Sequence, residues 1–156
     1  MPIRPATIED VERMVQLSDA KRTEYERYAP TFWRKAPNGA ELQMPYFHAL
    51  IAKDEVIALI YEDAGSMDGF IIASVTDAPP VYDPGSRVIV VDDFTVSQAE
   101  QWPTIGAALL TGARSRARER GANLAIVVCG HLDEPKRAML RACGFSIASE
   151  WYVNPL

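Results

Sequence analysis

Histidine and cysteine are scarce: the chain has two of each, His48 and His131, Cys129 and Cys143. Neither cysteine belongs to a CxxC pair. A structural zinc site needs about four clustered soft ligands, so the expectation is a protein without a metal. Both cysteines read as small buried hydrophobes. No apolar run approaches the ~18 residues of a membrane helix, and no signal-peptide stretch follows Met1-Pro2-Ile3-Arg4. The expectation is a cytoplasmic protein with no membrane partner. Positive charge is also short, with 16 basic residues against 21 acidic and a net charge of −5. Nucleic-acid binders carry a basic footprint, so a nucleic-acid partner is excluded. An acidic protein attracts cations, which favours an amine as substrate, although a solvated acidic surface is the simpler account.

What remains is ordinary for a folded domain. Hydrophobic residues make up 48% and charged residues 24% of the 156 residues, which argues against disorder. The length fits one domain spanning 1–156. The loops richest in proline and glycine, Ala36 to Gly39 and Ala78 to Ser86, are too short to divide it.

The apolar pattern gives an order of elements. Ile3 to Thr7 reads as a strand, and Thr7 with Asp10 occupies the capping-box positions of a following helix. Val11, Met14 and Val15 recur at helical spacing, and Pro30 ends that helix. Pro45 suits the first turn of a second helix, running to about Lys53. Val56–Tyr61 and Gly69–Val75 read as a hairpin. Val88–Val96 is apolar on both faces, as a central strand should be. A helix follows from about Thr104 to Arg120, with an apolar stripe of Ile105, Ala108, Leu109, Gly112 and Ala113. The arginines at its end suit the helix dipole. Leu124–Val128 reads as a short buried strand, Glu134–Cys143 as a helix capped by Asp133, and Phe145–Val153 as a final strand. Strand–helix–strand units imply parallel pairing in the second half and hairpins imply antiparallel pairing before it. The fold class is therefore α/β, with a mixed central sheet and flanking helices.

This order resembles the GNAT N-acetyltransferase fold, and the second half is similar in its motifs. The strand ends Asp92-Asp93-Phe94-Thr95-Val96. It is followed by Gln101-Trp102-Pro103-Thr104-Ile105-Gly106-Ala107, which resembles the family's Gln/Arg-x-x-Gly-x-Gly/Ala loop at Gln101, Ile105 and Gly106. Thr104 departs from it, as do Trp102 and Pro103. Gly144-Phe145 resembles the ending of the family's last helix. Pro79 to Pro84 is similar to the loop before the central strand in many bacterial members.

The resemblance implies acetyl-CoA as co-substrate and transfer of its acetyl group to a primary amine of a small molecule or peptide. The pyrophosphate would sit on the loop Gln101, Trp102, Thr104, Ile105, Gly106 and Ala107, because anions bind at helix N-termini. Gly106 would let the backbone approach, or would merely permit tight packing. The pantetheine arm would pair with backbone at Phe94, Thr95 and Val96, where the strand splays from the one at Leu124. Asp92 or Asp93 would take the amine proton; neighbouring strand residues face opposite ways, so one of them is expected in the site. Tyr25, Tyr28, Phe32 and Trp33 would form an aromatic pocket for a cation, or ordinary core, or a dimer contact; Tyr82 joins the substrate-binding candidates. Leu140 stands where many members have a tyrosine acid, leaving Tyr82, His131 and Cys143 as substitutes. The alternative is a catalytically weak or inactive protein that senses coenzyme A. The family often dimerises, and the last strand around Trp151 could contribute to a homodimer.

Overall fold

The structure, a computed structural model, describes residues 2–156. Nine regular elements follow one another: β1 (Ile3–Pro5), α1 (Val11–Tyr28), α2 (Gly39–Ile51), β2 (Val56–Asp63), β3 (Ser66–Asp77), β4 (Arg87–Val96), α3 (Ala107–Glu119), β5 (Ala122–Val127) and α4 (Glu134–Ala142). The strands form one sheet in the order β1-β2-β3-β4-β5. The first three pairings are antiparallel and β4 pairs parallel to β5, as the connections require.

The sheet is covered on both faces. One core packs Ile57, Leu59, Ile71, Ile89 and Phe94 against Leu109, Leu110 and Ala113 of α3 and Met139 and Leu140 of α4. The other packs Ile60, Phe70 and Ile72 against Val11, Met14 and Leu17 of α1 and Phe47 and Leu50 of α2. The capping prediction at Thr7 is met: its N–H donates to Asp10 Oδ2 at 2.7 Å. Arg4 ties the same carboxylate to Glu62 of β2, fixing the start of α1 to the sheet edge. Gly121 and Gly144 end α3 and α4 with φ of +83° and +87°, a conformation in which a Cβ is penalised.

Three expectations need correction. Pro45 lies inside α2 rather than at its start; the helix begins earlier, where Leu42 N–H bonds to Asn38 O. Leu124–Val128 is not a buried strand. β5 is an edge, and Leu124, Ile126 and Val128 are 44%, 43% and 47% exposed. Phe145–Val153 forms no strand and joins no sheet; among the described residues its only backbone bond is Phe145 N–H to Leu140 O, at the end of α4. The cysteines are half-buried, packed at the margin of the α3–α4 core. Among the described residues no helix is long and apolar enough to cross a membrane.

Candidate active site at the end of the central strand

β4 and β5 are joined only over Arg87–Val91 and Ala122–Val127, with one last bond from Val128 N–H to Val91 O. Beyond it β4 continues to Val96 with no neighbouring strand on that side. β4 also slips against β3: Val91 opposes Ala73 and Asp93 opposes Ile72, so Asp92 is an inserted residue. Such bulges re-aim side chains. Here the bulge leaves Asp92 exposed and its neighbour Asp93 half-buried. Simple alternation along the strand therefore does not describe the pair.

Asp93 sits among charges. Burial pushes its carboxyl up, and the Lys21 ammonium pulls it back. Burial likewise pushes the Lys21 ammonium down, opposed by Asp93, Asp133 and Asp92. Lys21 Nζ also lies 5.2 Å from the Tyr25 ring centre. On α2, the Tyr46 hydroxyl is pushed up by burial and then by Asp93 and Asp92. The acidic pair thus faces both α1 and α2.

A cleft of about 340 Å³ opens between α1, the end of β4, the loop after it and the start of α4. Lys21, Tyr25, Tyr28, Thr95, Val96, Trp102 and Asp133 are among its walls. Tyr25 donates to Asp133 Oδ2 at 2.6 Å and accepts from Gly130 N–H at 3.2 Å. Burial beside Asp133 pushes that phenol up. Asp133 also caps α4, accepting from Lys136 N–H at 3.4 Å. This buried pair, 108 residues apart in sequence, fixes α1 to the start of α4.

Lys136 was not legible as a site residue. Its side chain is wholly buried. Nζ donates to Phe94 O at 3.2 Å, and it lies 5.1 Å and 5.3 Å from the ring centres of Phe94 and Trp102. Burial, then repulsion from Lys21, pushes it down to about 7. An interior with so few partners disfavours the charged form. The available signal was its place at helical spacing with Met139, Leu140 and Cys143 on the buried side of α4.

The loop after β4 is tied within itself. Gln101 Oε1 accepts from Gln98 N–H at 2.9 Å and from Ser97 Oγ at 3.0 Å. Trp102–Gly106 forms a π-helical turn leading into α3, and such turns recur at functional sites. Trp102 is buried and meets Phe94 edge-on, with ring centres 4.9 Å apart. A Cβ on Gly106 would come within 2.5 Å of the Trp102 ring. Its bare face is therefore occupied by that ring. Gly106→Ala is expected to displace Trp102 and cost about 1–3 kcal/mol, read from urea unfolding; unchanged stability would show that the ring moves freely.

The aromatic candidates form a row. Tyr25 lies 5.4 Å from Tyr28 and 4.7 Å from Trp33, and Phe32 lies 5.4 Å from Trp33 and 5.9 Å from Trp151. Tyr25 and Tyr28 face the cleft. Tyr82 is not brought to it: this exposed residue lies five positions before Arg87, beyond the opposite end of β4 from Val96. His131 is exposed at the loop before α4 and contributes its carbonyl to Arg137. A second depression, of about 470 Å³ near the β2–β3 turn, is lined by Arg4 and Glu62, which already pair with each other.

The end of β4 offers unpaired strand edge beside the cleft, with the Phe94 carbonyl meeting only a lysine. The helical turns that lead into α3 begin alongside, at Ala99. Among the described residues no group of three His, Cys, Asp or Glu could hold a metal ion.

No family model and no curated protein matches the sequence. Solved structures do match. A predicted acetyltransferase of Clostridium acetobutylicum, solved with acetyl-CoA, is 18% identical, with a TM-score of 0.74 over 98% of this chain and 94% of that one. An aminoglycoside 6'-N-acetyltransferase of Acinetobacter haemolyticus is 14% identical, with a TM-score of 0.74 over 100% and 99%. A ribosomal-protein-alanine N-acetyltransferase of Brucella melitensis is 18% identical, with a TM-score of 0.67 over the whole of both chains. The chain has the GNAT acyl-CoA N-acyltransferase fold.

Proposed function

We propose that this GNAT-fold chain is an acetyl-CoA-dependent N-acetyltransferase acting by direct transfer on a primary amine of a small molecule or peptide. The observation that carries the reading is the cleft where β4 parts from β5, walled by Lys21, Tyr25 and Asp133, with Asp93 acting on Lys21 and Lys136 buried behind the Phe94 carbonyl. Acetyl-CoA supplies the activated acetyl group. The unpaired edge at Phe94, Thr95 and Val96 aligns its arm, and the start of the helical turns at Ala99 and Glu100 faces its phosphates. Ser97 to Gly106 contains no basic side chain, so backbone carries that contact and affinity is modest.

Asp92 and Asp93 draw a cationic amine to the acidic end of the cleft. Asp93 takes the proton, since burial raises its carboxyl into a better base than a free aspartate while Lys21 opposes that rise. Tyr25 and Tyr28 offer ring faces to the cation. Lys136 holds a proton at Nζ, close to neutrality, and returns it to the departing thiolate. It thereby fills the role that Leu140, one turn further along α4, cannot. The rival reading, a coenzyme A sensor without turnover, loses its main support once Lys136 is available as acid; the altered Trp102-Pro103-Thr104 loop still favours it.

The test is release of free thiol from acetyl-CoA in the presence of polyamines and amino acids, with the product identified by mass spectrometry. Thiol release is expected only with an amine present, with one acetyl group added per thiol. Release that is indifferent to every amine would leave ordinary hydrolysis and remove the transferase reading.

A further inference from the structure

We propose that the amine acceptor is a zwitterion, a free amino acid whose carboxylate accepts from Lys21 Nζ while its ammonium lies at Asp93. The inference rests on the transferase reading and names its substrate class.

Lys21 lines the cleft from α1. It is half-buried, with Nζ 5.2 Å from the centre of the Tyr25 ring. Among the described residues neither Lys21 nor Asp93 makes a side-chain hydrogen bond or an ion pair. The charges around them are committed elsewhere. Asp133 accepts from Tyr25 and from Lys136 N–H. Lys136 donates to Phe94 O. Arg22, next to Lys21 on α1, is held by Gln43 and Asp19. Glu24 lines the same cleft and leaves Lys21 unpaired.

An ammonium carries three donors and a carboxylate only acceptors. Both are costly when drawn out of water without partners. The Tyr25 ring face offsets part of that cost for Lys21 and none of it for Asp93. The two nevertheless face each other: each is the charge that acts most strongly on the other. Opposite charges that are near neighbours without a bond between them suit a ligand that carries both signs. An amino acid supplies a carboxylate for Lys21 and an ammonium for Asp93, and leaves neither unpaired.

Other acceptors fit less well. A diamine brings a second cation against Lys21. A phosphate brings more negative charge than Lys21 balances, into a cleft that also holds Glu24, Glu100 and Asp133. The zwitterion adds no net charge. Lys21 is thus a specificity-determining residue, and Asp93 keeps its place as the base.

The test compares kcat/KM for acetylation of amino acids and of their carboxamides by the full chain with acetyl-CoA. A carboxamide keeps the amine and the side chain and removes the anion. Its amine is also the less basic and the more often neutral, so a preference for the acid runs against intrinsic reactivity. The acid is expected to be favoured by about ten-fold or more, the usual worth of a hydrogen bond to a charged group. Lys21→Met should erase that preference, Lys21→Glu should reverse it and Lys21→Arg should keep it. The readout is a ratio, so a change in Asp93 as base, which both substrates share, cancels. Equal rates for acid and carboxamide would overturn the proposal and leave the transferase reading intact. A preference that survives Lys21→Met would overturn it as well, by assigning the carboxylate to another group. Acetylation of no amine at all would remove the transferase reading and this inference with it.

Discussion

An Asp93→Asn variant is expected to lose about 10²- to 10⁴-fold in kcat/KM, the usual worth of a positioned base, without losing stability. The two effects separate because of what burial does to this carboxyl. Its folded pKa is raised above the ordinary value, with burial the largest cause. The folded state therefore holds its proton to higher pH than the unfolded chain does. Stability is fully present below the unfolded pKa and falls as pH rises through the folded one. Above the folded pKa the ionised carboxylate is a cost, and the neutral amide removes it. Loss of activity together with loss of fold would instead make Asp93 a structural residue. Asp92→Asn, on the exposed residue of the bulge, should weaken amine binding more than turnover, seen as a raised KM.

A Lys136→Met variant is expected to change how stability depends on pH. Lys136 is pushed down to about 7 from 10.5. Below pH 7 both states carry the proton and the folded state bears the whole cost of burying it. Between about 7 and 10.5 the unfolded chain binds one more proton, so stability rises with pH. Above that range both are neutral and the cost has gone. At 1.36 kcal/mol per pKa unit, the rise is on the order of 5 kcal/mol. Methionine keeps the length of the chain and its contact with the Phe94 and Trp102 rings, so the variant should lack this rise and be the more stable of the two at pH 6. Unfolding curves measured across pH 6–10 that run parallel for the two proteins would show that Lys136 does not titrate in the fold. Turnover should fall by about ten-fold, since a thiolate leaves readily without help.

The two halves of the account were unequally legible. β4 and the helices on either side follow from apolar periodicity, which is a local property and is printed in the sequence; the splay of β4 from β5 came only from the family resemblance. Asp92-Asp93 stood out because two carboxylates ending an apolar strand are costly unless used. The bulge that tells them apart depends on pairing with β3, and no local pattern reports it. The Tyr25–Asp133 bond joins residues 108 apart, and Lys136 drew no attention because lysine on a short helix is usually solvated. Gln101 and Gly106 matched a loop pattern, yet the structure commits Gln101 to capping Gln98 and covers Gly106 with Trp102. The pattern marked the right loop and could not say which of its atoms remain free. At Phe145–Val153 the alternation suggested a strand that the structure does not form, because alternation alone cannot supply a pairing neighbour.

The central claim is that the end of β4 and the turn after it receive acetyl-CoA, and the most direct measurement is a titration with that compound. Thermal unfolding and hydrogen exchange at residues 92–107 would be followed together. A ligand that binds only the folded state raises its stability by about 2.7 kcal/mol at a hundred times Kd. The account predicts a saturable rise in Tm with slowed exchange confined to 92–107 and the start of α4. No rise at millimolar acetyl-CoA, or a rise with protection elsewhere, would contradict it.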